Sequence, residues 1–267
     1  MAVQMKLLDW IPEEKLEWKY LSINKSDAAV DMLLQKKDLI DYTFLSENSN
    51  DRIVRYLLEN PKHIHWGYFS ANPSDVAVDY LLNNKNKIQW GGFSANSNDR
   101  AVDLLLEKPY LIYTGSLSAN TNERAVSYLL ENQELFRYIN WINLSMNSND
   151  RALDFLFQHQ HKIDWFALST NTNDRAVDMI QKNLDKEYRW GGLSQNSNER
   201  VLKLLSENPK MVSYKHLSIN PGIFEIDFPY MAKQRNATIL QELIEVTWHP
   251  KRMVDWCLEY NDTYFEL

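Results

Sequence analysis

One arginine recurs at matching places along much of this chain: Arg52, Arg100, Arg124, Arg151, Arg175 and Arg200. A regular row of guanidinium groups could read a polymer at fixed spacing, as some repeat proteins read RNA. An acid stands immediately before each arginine, and Asp103, Asp154 and Asp178 follow three residues after theirs. Pairs at i, i+3 on a helix neutralise one another. The column is therefore expected to form a ladder of ion pairs along one face, with recognition of an acidic partner or phosphate as the alternative.

A second column is aromatic: Trp18, Trp66, Trp90, Trp141, Trp165 and Trp190, with Tyr42 and Tyr214 in two more places and Thr114 as the exception. Stacked rings could hold bases or proline-rich peptides. Core between layers, with each indole N–H finding a carbonyl, is the expectation. A serine column has no His or Lys recurring beside it as a base, so it is not nucleophilic; bonds to backbone at a helix junction are expected. His63-x-His65 and His159-x-His161 are the candidate metal pairs, and no carboxylate or cysteine cluster recurs to complete a site. Gly91-Gly92 and Gly191-Gly192 lack the strand–loop–helix setting of a phosphate loop, and close helix packing is expected there. No catalytic, cofactor or metal site is expected.

These columns belong to a tile of about 24 residues repeated nine times. Ser22, Ser46, Ser70, Ser94, Ser118, Ser145, Ser169, Ser194 and Ser218 mark it, each followed two residues later by an asparagine. A period of this size predicts a solenoid whose units bury their apolar faces against their neighbours. Asn24, Asn48, Asn72, Asn96, Asn120, Asn147, Asn171 and Asn196 each precede an acid by three residues, which reads as a capping box opening a helix. Pro73 and Pro221 would then occupy the first helical position. Ala101, Val102, Leu105 and Leu106 form the buried stripe of such a helix. Glu59-Asn60-Pro61 and Glu207-Asn208-Pro209 read as stops, with Asn in the left-handed cap.

Each tile is thus expected to be a main helix of about 11 residues and a short α or 3₁₀ return helix. The expected fold is an all-α solenoid and a single domain over residues 1–267. Residues 1–15 would form an N-terminal cap, 16–220 the nine repeats, and 221–267 a helical C-terminal cap. That tail should hold a helix from about Pro229 to Val246 and a last helix through Met253, Val254, Trp256 and Leu258, covering the open end of the stack. At a helix spacing of 8–10 Å, nine tiles would make a curved rod of roughly 70–90 Å.

The net charge of −7 argues against a general binder of nucleic acid or anionic membrane. Cys257 is the single cysteine, so no intrachain disulfide forms and a reducing compartment is expected. No apolar run approaches the roughly 20 residues that span a bilayer, and the start of the chain does not read as a signal peptide. A cytoplasmic protein is the expectation.

The tile Trp-x-x-Leu-Ser-x-Asn-x-Asn-Asp-Arg-Ala-Val, as at Trp165 to Val177, resembles tandem repeats abundant in giant DNA viruses of algae and amoebae. Leu7-Leu8-Asp9-Trp10-Ile11 and His249-Pro250-Lys251-Arg252 resemble the ends of such proteins. One departure is Asn-Asp-Arg-Ala-Val in place of Asn-Pro-Asn-Ala-Ile. The array is also similar to leucine-rich-variant solenoids, whose N-terminal iron–sulfur module one cysteine cannot supply. The resemblance implies a virus-encoded interaction protein, of host cytoplasm or virion, with no catalytic motif.

Two insertions interrupt the period, three residues around Gln133–Asn140 and one around Asp185–Tyr188. Solenoid insertions map to loops or bends, often on the binding face. Leu135, Phe136 and Tyr138 are the candidate contact residues there, beside the reading of a local core adjustment. The functional expectation is a non-enzymatic scaffold with a protein partner; the alternative is a nucleic-acid reader using the Arg and Trp columns.

Overall fold

The computed structural model describes residues 4–183, 189–247 and Arg252. The chain divides into two units, Leu7–Phe224, and Met1–Lys6 with Glu225–Leu267.

The first unit is an all-α repeat array. The tile around Asn96 shows the pattern: a short helix Trp90–Phe93, the link Ser94-Ala95-Asn96-Ser97, a main helix Asp99–Glu107, and a 3₁₀ turn Pro109–Leu111. The main helix is nine residues long, shorter than the spacing of stops suggests. It begins two residues later than expected, because its cap is Asn98, whose side chain accepts from the Arg100 amide. The same holds at Ser26, Asn50, Asn122, Asn149, Asn173 and Asn198. The acid that follows is the first helical residue, where its charge suits the positive end of the helix dipole. Pro73 accordingly lies outside its helix, before Ser74. Pro221 does open a helix, a 3₁₀ turn Pro221–Ile223 that stands where a ninth main helix would be.

The helix ends also differ from expectation. No residue other than glycine has a positive φ among the described residues. Asn60 has φ −126° and closes its helix with its side chain, Nδ2 donating to the Tyr56 carbonyl at 2.8 Å. Asn84 and Asn208 do the same at Tyr80 and Leu204. A side-chain donor satisfies a terminal carbonyl without the strained αL backbone.

The apolar stripe of each main helix is buried as its periodicity predicts: Ala101, Val102 and Leu105, and equally Ala29, Val30 and Leu33 in the first tile. Leu106 stands at the core's edge, half-buried. Each stripe packs on the leucine or phenylalanine of the short helices, such as Phe93 and Leu117.

The asparagine column is fully buried and joins one tile to the next. Asn120 Nδ2 donates to the carbonyls of Ser94 at 3.1 Å and Asn96 at 2.8 Å, while its Oδ1 accepts from the Asn122 amide at 3.0 Å. Asn48, Asn72, Asn96, Asn147, Asn171, Asn196 and Asn220 repeat this pattern on the tile before. The serine column adds a second rung. Ser46 Oγ donates to Tyr42 O at 2.8 Å and accepts from the next tile's His65 amide at 2.9 Å.

Asn24, in the first tile, finds the same partners in the ninth: its Nδ2 donates to Ser218 O at 3.1 Å and Asn220 O at 2.8 Å. The Glu17 amide donates to Ser218 Oγ at 2.8 Å, and lysines stack across the same junction, Lys15 on Tyr214 and Lys215 on Tyr20. The array is therefore a closed ring and not an open rod. The arc length expected of the rod is bent round a circle of about 25 Å mean diameter, given 8–10 Å between helices, with about 40° of rotation per tile. Closure leaves no open end within the array. Residues from Leu7 to Leu16 fill the junction instead of capping it: Ile11 and Leu16 are buried in one core with Leu217 and Ile223.

Two short strands, Met5–Leu7 and Phe224–Ile226, pair with each other. Asp227 donates its amide to Gln4 O and caps the helix Phe228–Thr247 through the Tyr230 amide. That helix matches the one expected from Pro229 to Val246. The expected helix through Met253, Val254, Trp256 and Leu258 lies outside the described residues, as does the one-residue insertion.

Candidate functional site

The arginine column pairs between tiles, not along its own helix. Arg100 Nη1 reaches Asp79 Oδ1 of the preceding tile at 2.6 Å, and Arg52, Arg124, Arg175 and Arg200 reach Asp31, Asp103, Asp154 and Asp178 at 2.5–2.7 Å. The expected partner three residues downstream instead serves the tile that follows. Ser127 replaces the acid in one tile; there Arg151 bonds Ser127 and turns to Glu131 at 3.1 Å and Glu123 at 3.4 Å. The bonds to Glu131 first, and to Glu123, hold the Arg151 guanidinium above its ordinary pKa; the Asp154 bond does so for Arg175.

Gaps in the ladder come in matched pairs. Arg55 stands where other tiles have the acid, and the next tile has Val76 in place of arginine. Lys203 stands there in the eighth tile, and the ninth has Phe224 in place of arginine. At these two places an arginine is missing where its partner would be a cation; the first tile, with Ala28, lacks the arginine as well. These guanidiniums are already engaged by carboxylates, which leaves them poorly placed to hold phosphates.

The histidines likewise have local work. His63 stacks on Tyr42, His65 Nδ1 accepts from the Tyr68 amide, and His159 Nδ1 closes a helix at Phe155 O. Among the described residues no group of three or more His, Cys, Asp or Glu is placed to hold a metal. No described helix is long and apolar enough to cross a membrane. Of the glycine pairs, Gly92 and Gly192 allow close helix approach: a Cβ on Gly192 would lie 2.5 Å from Phe166 O, and one on Gly92 would collide with Gly67 O. Gly91 has open space.

The aromatic column lies half-buried at the edge of the core. Trp66 stacks on Tyr80 with Lys87 over its ring, and Trp141 stacks on Phe155. Where the column lapses, at Thr114, the surface opens into a cleft of 530 Å³ lined by Ile112, Tyr113, Thr114, Gly115, Tyr138 and Asn143, among others. The small side chain of Thr114 leaves room that an indole fills in most other tiles. The three-residue insertion forms the opposite wall as a 3₁₀ helix Gln133–Tyr138.

The three residues singled out in that insertion separate. Leu135 and Phe136 turn inward, Phe136 meeting Phe155 edge-on at 5.3 Å. Tyr138 stays 55% exposed on the cleft, with the Arg137 guanidinium 4.6 Å from its ring centre. Across the cleft Tyr113 is 59% exposed. Asn143 Nδ2 donates to Gly115 O at 2.8 Å and holds the floor. Tyr113 and Asn143 do not stand out in the sequence. The signal that could have found them is the single aromatic gap coinciding with the single three-residue insertion.

Fold and surface together define an all-α repeat protein, its tiles closed into a ring, with one aromatic cleft where the repeat is broken. No family model, curated protein or solved structure matches the chain.

Proposed function

We propose that this protein is a non-enzymatic interaction scaffold that takes a projecting apolar or proline side chain of a protein partner between Tyr113 and Tyr138. The observation that carries the proposal is the 530 Å³ cleft walled by two exposed tyrosines at the one break in the aromatic column. Tyrosine offers a large, rigid, amphipathic contact at low entropic cost, and aromatic-lined grooves suit proline-rich segments. The tile's resemblance to repeats of giant viruses supports a virus-encoded protein acting in host cytoplasm or virion. Capture on immobilised ring, with Tyr113→Ala/Tyr138→Ala as the comparison, tests the proposal. The expected result is a specific protein held by the wild type and lost by the variant, with equal melting temperatures. The same protein held equally by both would overturn it, as would no protein held and a salt-dependent oligonucleotide shift instead.

A further inference from the structure

Ring closure creates a lumen. In six of the nine tiles its lining comes from the residue between Ser and Asn and, in five of these, also from the residue just after the Asn. Ile23, Lys25 and Glu47 of the first two tiles line a cavity of 320 Å³ together with Met146, Thr170 and Ile219 of the sixth, seventh and ninth. Tiles so distant in the chain can share one cavity only across the centre of the ring.

The two wall columns are nearly free of charge. Following the serines, they read Ile23, Glu47, Ala71, Ala95, Ala119, Met146, Thr170, Gln195 and Ile219. Following the asparagines stand Lys25 and then only Ser, Thr and Pro. Eighteen positions therefore carry one carboxylate and one ammonium. Among the described residues, no hydrogen bond or ion pair reaches the side chain of either, and they do not pair with each other. Glu47 is open to the lumen, yet the surrounding protein desolvates it and pushes its pKa up. Nothing in the tile's architecture requires an acid here, since alanine holds the place in three tiles. An unpaired carboxylate in such surroundings opposes folding and gains most from a cationic occupant.

We infer that the lumen binds a small organic ammonium compound, with its cation on Glu47 and its apolar body against Ile23, Met146 and Ile219. A cavity of this size falls at the lower end of small-molecule sites. Lys25 in the same cavity refines the class. It repels a second positive charge and attracts a carboxylate, so an ω-amino acid fits better than a monoamine, and a monoamine better than a diamine. The hydroxyl of Thr170, which donates to Ala167 O, lines the same cavity and keeps its oxygen as an acceptor.

Titration calorimetry with γ-aminobutyrate, butylamine and 1,4-diaminobutane tests this on the full chain. The expected order of affinity is aminobutyrate, butylamine, diamine. Glu47→Gln, which keeps the shape and removes the charge, weakens all the binding by about tenfold or more, as loss of a charge-assisted contact does. Lys25→Met levels the preference between aminobutyrate and butylamine without removing either. No heat of binding from any of the three compounds would overturn the inference, and so would equal affinity in wild type and Glu47→Gln. The cleft at Tyr113 and Tyr138 is not involved, so capture of a protein partner stands or falls separately.

Discussion

If the ring is closed, an asparagine at its junction is worth as much as one in the middle of the array. Asn24 and Asn120 are the pair to compare. Each is fully buried and each donates to two carbonyls of the tile before it, at 3.1 and 2.8 Å in both cases. Each also accepts from the amide two residues on. Replacement by alanine removes three hydrogen bonds at Asn120 and four at Asn24, where the Ser26 hydroxyl adds one, at about 1 kcal/mol each, and strands two buried carbonyls, so about 3–5 kcal/mol is lost at either site. In an open rod Asn24 would face no preceding tile and would keep only its two local bonds to Ser26, so its removal would cost about 1–2 kcal/mol. Urea denaturation of Asn24→Ala and Asn120→Ala reads the difference directly. Equal losses support closure. A loss of only about 1–2 kcal/mol at Asn24 beside a larger one at Asn120 would refute it.

Three further outcomes are expected. Gly92→Ala drives a Cβ into the Gly67 carbonyl, while Gly91→Ala meets nothing within 4 Å; thermal melts should show a loss of about 1–3 kcal/mol or more for the first and a neutral or slightly stabilising change for the second. Val76→Arg places a guanidinium where the inter-tile register brings Arg55, so it should destabilise by up to about 1 kcal/mol, and adding Arg55→Asp should restore stability, as a double-mutant cycle in urea would report. Desolvation raises the Glu47 pKa on folding, so the folded chain holds that proton more tightly than the unfolded one. Stability from this group is present at low pH and lost as pH rises from the ordinary glutamate value through the raised folded value. Glu47→Gln should therefore be more stable than wild type at neutral pH and equal to it in acid; an unchanged difference across the pH range would contradict the assignment.

The helix starts show where the sequence misleads. In Asn96-Ser97-Asn98-Asp99 two asparagines compete for one cap. Spacing to the acid favours the first, but the structure uses the second. The first is needed elsewhere, because its amide can reach two carbonyls of the neighbouring tile, a partner that no window of a single tile contains. The arginines behave alike. Asp103 follows Arg100 at helical spacing, yet Asp79 and Asp103 serve different arginines because neighbouring main helices lie side by side.

The candidate cleft was half legible. The gap at Thr114 and the insertion ending at Tyr138 stand out in the period, but their meeting across one cleft depends on how two adjacent tiles pack. Glu47 and Lys25 gave no signal, since positions beside the Ser and Asn columns acquire a common lumen only once the ring shuts.

By itself, the sequence determined the tile: its length, its two helices and its buried stripe. Those follow from local periodicity and capping chemistry within some two dozen residues. Tertiary structure alone decided which asparagine caps, which acid meets which arginine, and that nine tiles return to the start. Closure is a sum of small rotations, each set by packing between neighbours, and a few degrees per tile separate a ring from an open superhelix.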